Sequence, residues 1–339
     1  MKHKAPVWHI GLAVLFFAGG MAAQETRQTF QVMFYNVENL FDTYDDPHTN
    51  DNEFLPEGSR HWTSYRYYAH LQQTAKVVNA AGKWDTPTLI GLCEVENDSV
   101  LIHLTRRTSL RTQNYRYCIT KSNDPRGINN ALLYQADKFR LLSFGSLRIP
   151  FRNRARRSRD ILHVSGLVIT GDTLDVFVCH FPSRLGGEKA SEPARMDAAM
   201  YLRHLCDSLH AVRRTPNVLI MGDFNDMPSN SSIQTLVRSS DARRRLTNLF
   251  ADAKKLNHAG SYKYRGEWNQ LDQMMISSSW ARYYEPGSAQ IFMPSFLLKS
   301  DRSRSGYRPF RVYNGFKYEG GFSDHLPVTA YFMLPVPKK

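Results

Sequence analysis

The chain has 339 residues, 42% of them hydrophobic and 12% aromatic, which excludes a disordered or fibrous protein and supplies enough apolar surface for an ordinary core. Its formal net charge of +13 favours a phosphate-bearing or polyanionic partner, or an anionic surface.

At the start of the chain, Lys2 and Lys4 precede the apolar run Ile10–Gly20, and Met21-Ala22-Ala23 precede Gln24. This pattern predicts a cleaved signal peptide over residues 1–23 and a secreted or periplasmic mature protein. The apolar run is about half of the roughly 20 residues that a spanning helix needs. No later segment is suited to cross a bilayer, so stable membrane insertion after cleavage is not expected.

Apolar or alternating runs predict strands over 29–35, 88–93, 115–120, 130–134, 139–149, 161–170, 173–180, 217–222, 271–277 and 327–333. Helical spacing covers 65–81, 98–110, 189–212 and 231–238. Gly171-Asp172 lies between two strand-like runs and reads as a hairpin turn. The mixture predicts mixed sheets covered by helices. Two long irregular stretches, 42–62 and 293–321, interrupt the pattern, and loops of that length are often functional. The acidic 45–53 stretch lacks the glycine and terminal glutamate of an EF-hand loop and reads as surface. Cys93, Cys118, Cys179 and Cys206 allow three pairings if exported, but Cys93 and Cys179 sit in apolar runs, which favours buried free thiols.

Several strand-like runs end in polar residues. FYNVENLF presents Asn36 and Glu38, LIGLCEVEN presents Glu94, FVCHFPSR presents His180, and IMGDFND presents Asp223 and Asn225. Asp272 opens the run LDQMMIS, and Asp324 and His325 precede another. Singly, each such residue is more often a cap or turn former. Together they form an inventory of oxygen donors, imidazoles and amides, without a zinc-type cysteine cluster, that suits Mg²⁺ or Mn²⁺. Beside a basic surface, hydrolysis of a phosphate ester is the chemistry such a set serves. RIPFRNRARRSRD (148–160) alone holds six arginines.

In their order, YNVENLF, GLCEVEN, GINNALLY, HFPSR, MGDFND, LDQMMIS and FSDHLPV resemble the successive motifs of the endonuclease/exonuclease/phosphatase superfamily, which includes deoxyribonuclease I. The resemblance extends from about residue 29 to 333 and uses both ends of the chain, so residues 24–339 read as one domain. It implies an α+β fold, a four-layer αββα sandwich of two packed mixed sheets flanked by helices. It also implies that Glu94, Asp324 and Glu38 hold the metal, and that Asn36 steadies that cluster or the phosphate. Asp223 and Asn225 would orient or activate water. His325 would be base or cation, with Asp272 fixing its tautomer and raising its pKa, and His180 would donate to a phosphate oxygen or the leaving group. Arg126, Arg159, Ser183 and Arg184 would contact phosphate. Asp226, outside the Asp-x-Asn pair, reads as a turn former. In Tyr307, Arg308, Phe310, Arg311 and Tyr313 cations alternate with aromatics, and this reads as a packed loop before a nucleic-acid platform.

His180 follows the deoxyribonuclease pattern where apurinic endonucleases carry tyrosine, and Glu38 matches neither branch. The first functional expectation is an exported nuclease acting on DNA, with RNA second. The alternative is a phosphatase or phospholipid phosphodiesterase acting on a phosphorylated small molecule or lipid headgroup.

Overall fold

The computed structural model describes Met1 and residues 26–82, 85–252 and 260–337, so beyond Met1 the expected export signal lies outside the described residues. In chain order the elements are β1 (Arg27–Leu40), α1 (Ser64–Gly82), β2 (Leu89–Val95), α2 (Asp98–Arg106), β3 (Tyr115–Ile119), β4 (Asn129–Gln135), β5 (Phe139–Leu147) and β6 (Ile161–Val168). There follow β7 (Thr173–His180), α3 (Glu188–Val212), β8 (Asn217–Asp223), α4 (Ser231–Val237), β9 (Leu246–Asn248), β10 (Tyr262–Tyr264), β11 (Glu267–Asn269) and β12 (Asp272–Ser277). The chain closes with β13 (Gln290–Ile291), β14 (Leu298–Ser300), β15 (Tyr307–Pro309), β16 (Tyr313–Asn314), β17 (Lys317–Tyr318) and β18 (Val328–Pro335).

Two six-stranded sheets form, in the orders β13-β18-β1-β2-β4-β3 and β5-β6-β7-β8-β12-β9. Each contains one parallel pair, β1 with β2 and β7 with β8, among antiparallel neighbours. Parallel neighbours need a crossover, and α1 and α3 supply it. Alternation along the strands then builds the layers. Phe30, Val32 and Phe34 of β1 meet Leu219 and Met221 of β8 between the sheets. Met33, Tyr35 and Val37 turn the other way onto Leu71, Ala75 and Val78 of α1, and Val218 and Ile220 turn onto Ala198 and Leu202 of α3. Three apolar layers between four structural layers give the expected αββα sandwich.

The loop between β6 and β7 closes as expected, with Gly171 at φ 81 and its N–H donating to Val168 O at 2.9 Å. A side chain at that φ is strained, which accounts for the glycine. All four cysteines are buried free thiols, Cys93 and Cys118 between the sheets and Cys179 and Cys206 against the helices. Among the described residues no helix is long and apolar enough to cross a membrane.

Some expectations shift. β1 runs on to Leu40 through a bulge, and α2 stops at Arg106 because Thr108 accepts a hydrogen bond from Leu110 N and starts a separate 3₁₀ turn. The stretch 293–321 carries two short hairpins, β14–β15 and β16–β17, whose two- and three-residue strands are too brief to show a period. The acidic stretch is not all surface, because Asp51 is buried and accepts from Asp46 N at 3.0 Å.

The turn after β8 is fixed from beneath. Arg195 of α3 is fully buried, with Nε 2.8 Å from Asp226 Oδ1, while its other nitrogens donate to Ser191 Oγ and Glu188 O. Asp226 Oδ2 also accepts from Ser232 Oγ of α4 at 2.6 Å. Replacing Asp226 by Ala would leave a buried guanidinium without its counter-charge. The expected cost is roughly 3–5 kcal/mol in urea unfolding, with turnover of the folded fraction retained.

Candidate functional site

The carboxyl ends of β1, β2, β7 and β8 meet at one edge of the sandwich, where open α/β sheets bind ligands. The backbone there is strained. Glu38 (φ 51), Asn39 (φ 56), Glu94 (φ 64) and Asn225 (φ 50) all occupy left-handed conformations without being glycine. Register shifts between Asn36 and Leu40 on β1 and between Cys93 and Val95 on β2 mark bulges that re-aim Glu38 and Glu94. Such conformations cost about 1–3 kcal/mol each and persist where the surroundings over-determine them.

Asp223 is the centre. Its Oδ2 accepts from Asn36 Nδ2 at 3.1 Å and lies 3.6 Å from His180 Nε2 and 3.7 Å from His325 Nε2, while its Oδ1 accepts from Asn225 N at 2.9 Å. His325 Nδ1 sits 2.7 Å from Asp272 Oδ2, and Asp272 faces Asp223 across the β12–β8 ladder. Glu94 Oε2 accepts from Asn39 N at 3.0 Å, and its Oε1 is 3.9 Å from His180 Nε2. Asn225 Nδ2 donates to Phe181 O at 3.1 Å.

The two imidazoles are driven apart in charge. Burial, together with the Arg159 and Arg126 charges, holds His180 well below the ordinary histidine value, so its ring is neutral. Burial also opposes charge on His325, but Asp272 and Asp223 outweigh it and raise the pKa well above the usual value. Burial and the neighbouring Asp272 push Asp223 up to about 6, against the pull of His325. Burial and the adjacent Asp324 raise Glu38 well above the carboxylate range.

The other expected residues divide. Glu38 has both carboxylate oxygens engaged by backbone N–H groups, Val312 at 2.7 Å and Tyr313 at 3.1 Å. Asp324 is half-buried and makes no hydrogen bond or ion pair with the described residues. Arg159 is buried, donates to Asp124 and Phe181 O, and keeps a buried Nε without a partner. Arg126 pairs loosely with Asp124 at 3.6 Å and is partly exposed to solvent. Arg184 is brought to the turn rather than to the centre, because its nitrogens go to Asn225 O, Asn230 and Glu188. It therefore braces Asn225. Among the described residues Ser183 Oγ is met only by Leu185 N, at 3.4 Å.

Two site residues escaped the sequence reading. The Tyr262 ring lies 4.7 Å from that of His325, and Ser323 donates to Asn36 O at 2.7 Å while accepting from His325 N at 3.0 Å. Ser323 was legible only as the first letter of SDH, and Tyr262 had no pattern around it.

Which donors suit a cation follows from these contacts. Asp223, Asp272 and His325 offer donor atoms within 4.8 Å of one another. His325 Nδ1 is already committed to Asp272, however, so this trio reads more simply as a relay. Glu94 Oε1, the uncommitted Asp324 and the repelling Glu38–Asp324 pair supply hard oxygen atoms that a Mg²⁺-like ion fits.

Residues 31–334 match the model of the Endonuclease/Exonuclease/phosphatase family. A mannosyl-6-phosphatase of Bacteroides thetaiotaomicron is 16% identical, with a TM-score of 0.57 over 89% of this chain and 99% of that one. Truncated TDP2 of Caenorhabditis elegans is 14% identical, with a TM-score of 0.55 over 90% and 97%. The human Nocturnin catalytic domain, solved with bound sulfate, is 14% identical, with a TM-score of 0.55 over 91% and 95%. At these identities the likeness is one of fold. No curated protein sequence matches the chain.

Protonated His325 stabilises the fold most fully below its unfolded value of about 6.5, and that contribution fades as pH rises through the raised folded value. Asp272→Asn should lower the His325 titration midpoint from its wild-type position, seen in the imidazole proton resonances of metal-free protein.

Proposed function

Because the chain belongs to the endonuclease/exonuclease/phosphatase family and is a phosphoric ester hydrolase, we propose that it is an exported, divalent-metal-dependent phosphodiesterase acting on nucleic acid, DNA before RNA. One observation carries the polyanionic substrate. The arginine run leads from buried Arg159, whose charge acts on His180 at the centre, out to exposed Arg154, Arg156 and Arg157, which have no ion pair with the described residues. Exposed arginines in series give salt-sensitive, sequence-independent binding to a phosphate backbone.

Within the proposal Asp223, near 6 and held by Asn36 and Asn225, accepts the proton of the attacking water. As the new P–O bond forms and the bond to the leaving oxygen breaks, His325, kept cationic by Asp272, faces the charge growing on the phosphoryl oxygens. Neutral His180 donates a hydrogen bond to a phosphate oxygen or to the leaving group. Glu94 and Asp324, with Glu38, would hold Mg²⁺ or Mn²⁺, which supplies charge neutralisation at phosphorus.

The mannosyl-6-phosphatase among the fold relatives supports an alternative, a phosphatase or phospholipid phosphodiesterase of inositol-phosphate or sphingomyelin type. Purified protein with Mg²⁺ or Mn²⁺ should cleave plasmid DNA in preference to an inositol phosphate or sphingomyelin. Turnover of the small phosphates or lipid alone would sink the nuclease reading. Glu94→Ala and His325→Ala should each lower turnover roughly hundredfold or more with unchanged circular dichroism, and a chelator should abolish it.

A further inference from the structure

We propose that Arg311 forms a second anion subsite, on the flank of the centre opposite Arg126 and Arg159, which takes a second phosphate of the substrate. This rests on the phosphodiesterase reading above and narrows it to substrates with neighbouring phosphates.

The sheets face one another so that β4 lies over β6 and β7, β2 over β7 and β8, β1 over β8 and β12, and β18 over β12. The site runs along this stack. Arg126 precedes β4 and Arg159 precedes β6, at one end, and both charges act on His180. At the other end Asp324 and His325 precede β18, and the Arg311 charge acts on Glu38 and on Tyr262, whose ring lies against His325. Asp223 lies between the two flanks.

Arg311 is uncommitted. Its side chain makes no hydrogen bond and no ion pair with the described residues, and its Nε is buried without a partner. The nearby Arg308 contrasts with it, for its guanidinium is held by Glu319 at 2.7 and 2.9 Å. Nor is Arg311 needed to satisfy Glu38, whose oxygens already accept from Val312 N and Tyr313 N. Those two bonds pin the backbone next to Arg311, so the guanidinium is carried on a fixed base. A fixed, incompletely satisfied guanidinium recognises phosphate by charge-assisted hydrogen bonds. A one-phosphate substrate fills the centre and reaches one flank, whereas a chain of phosphates engages both.

The test uses the full chain, Arg311→Ala and Arg311→Lys, with melting temperature recorded for each. With chelator present, calorimetric titration of inorganic pyrophosphate should be weakened about tenfold or more in Arg311→Ala, with Lys intermediate and orthophosphate changed by less than about twofold. With Mg²⁺, KM for a 5′-phosphorylated thymidine dinucleotide should rise about tenfold, while turnover of bis(4-nitrophenyl) phosphate stays within about twofold. Equal losses on one- and two-phosphate ligands would make Arg311 a positioning residue for Glu38 and overturn the subsite. So would unchanged pyrophosphate affinity, or no pyrophosphate binding to the wild-type chain; if the Ala variant does not fold, the Lys variant decides by the same comparison. Should the wild type cleave neither diester while pyrophosphate binding still depends on Arg311, the phosphodiesterase reading falls and the subsite stands.

Discussion

The hydrogen bond from Asn36 to Asp223 joins β1 of one sheet to the last residue of β8 in the other. A carboxylate buried at that seam is tolerable only while its oxygens are met, and here two amides and two imidazoles surround it. This requirement sets the relative height of the sheets. It also makes the centre a property of their packing, because β1, β7, β8, β12 and the approach to β18 each contribute one group. The low dielectric that makes the carboxylate costly also separates the two imidazoles, one neutral and one cationic, although their Nε2 atoms face the same oxygen.

The strained conformations at Glu38, Glu94 and Asn225 fit the same logic. Each places a polar side chain where a regular strand would send the next apolar residue into the core. Each is also held from outside, Glu38 by the 312–313 amides, Glu94 by Asn39 and Asn225 by Arg184 and Phe181. Glycine at these positions would relieve the backbone and remove the function, the usual trade between stability and activity.

How far the chain could be read before its structure depended on the range of the signal. Asp223, Asn225 and His180 stood out because an apolar run ended in a polar group, and a fully buried strand advertises its own end. The alternation of apolar strands and helices reached only as far as mixed sheets covered by helices, and the four-layer sandwich was implied by the family resemblance of the ordered motifs. Arg184 misled, since adjacency to His180 says nothing about direction, and its guanidinium turns back to brace the turn. The bulges at Glu38 and Glu94 were invisible, because the extra residue looks like a continuation of the strand. Arg311, Ser323 and Tyr262 sit in segments with no period, where position comes from distant partners such as the Glu38 carboxylate.

The pairing of β1 with β18 runs from Arg27 opposite Pro335 to Phe34 opposite Val328, so the first and last strands of the sandwich are neighbours. Synthesis therefore supplies the final piece last. Until β18 has emerged, β1 is an open edge, and the segment bearing Asp324 and His325 has no strand to anchor it. A chain growing from its amino end can lay down the second sheet and both crossover helices while its hydrolytic centre is still incomplete. Reactivity in this molecule thus waits, by topology, on the emergence of β18.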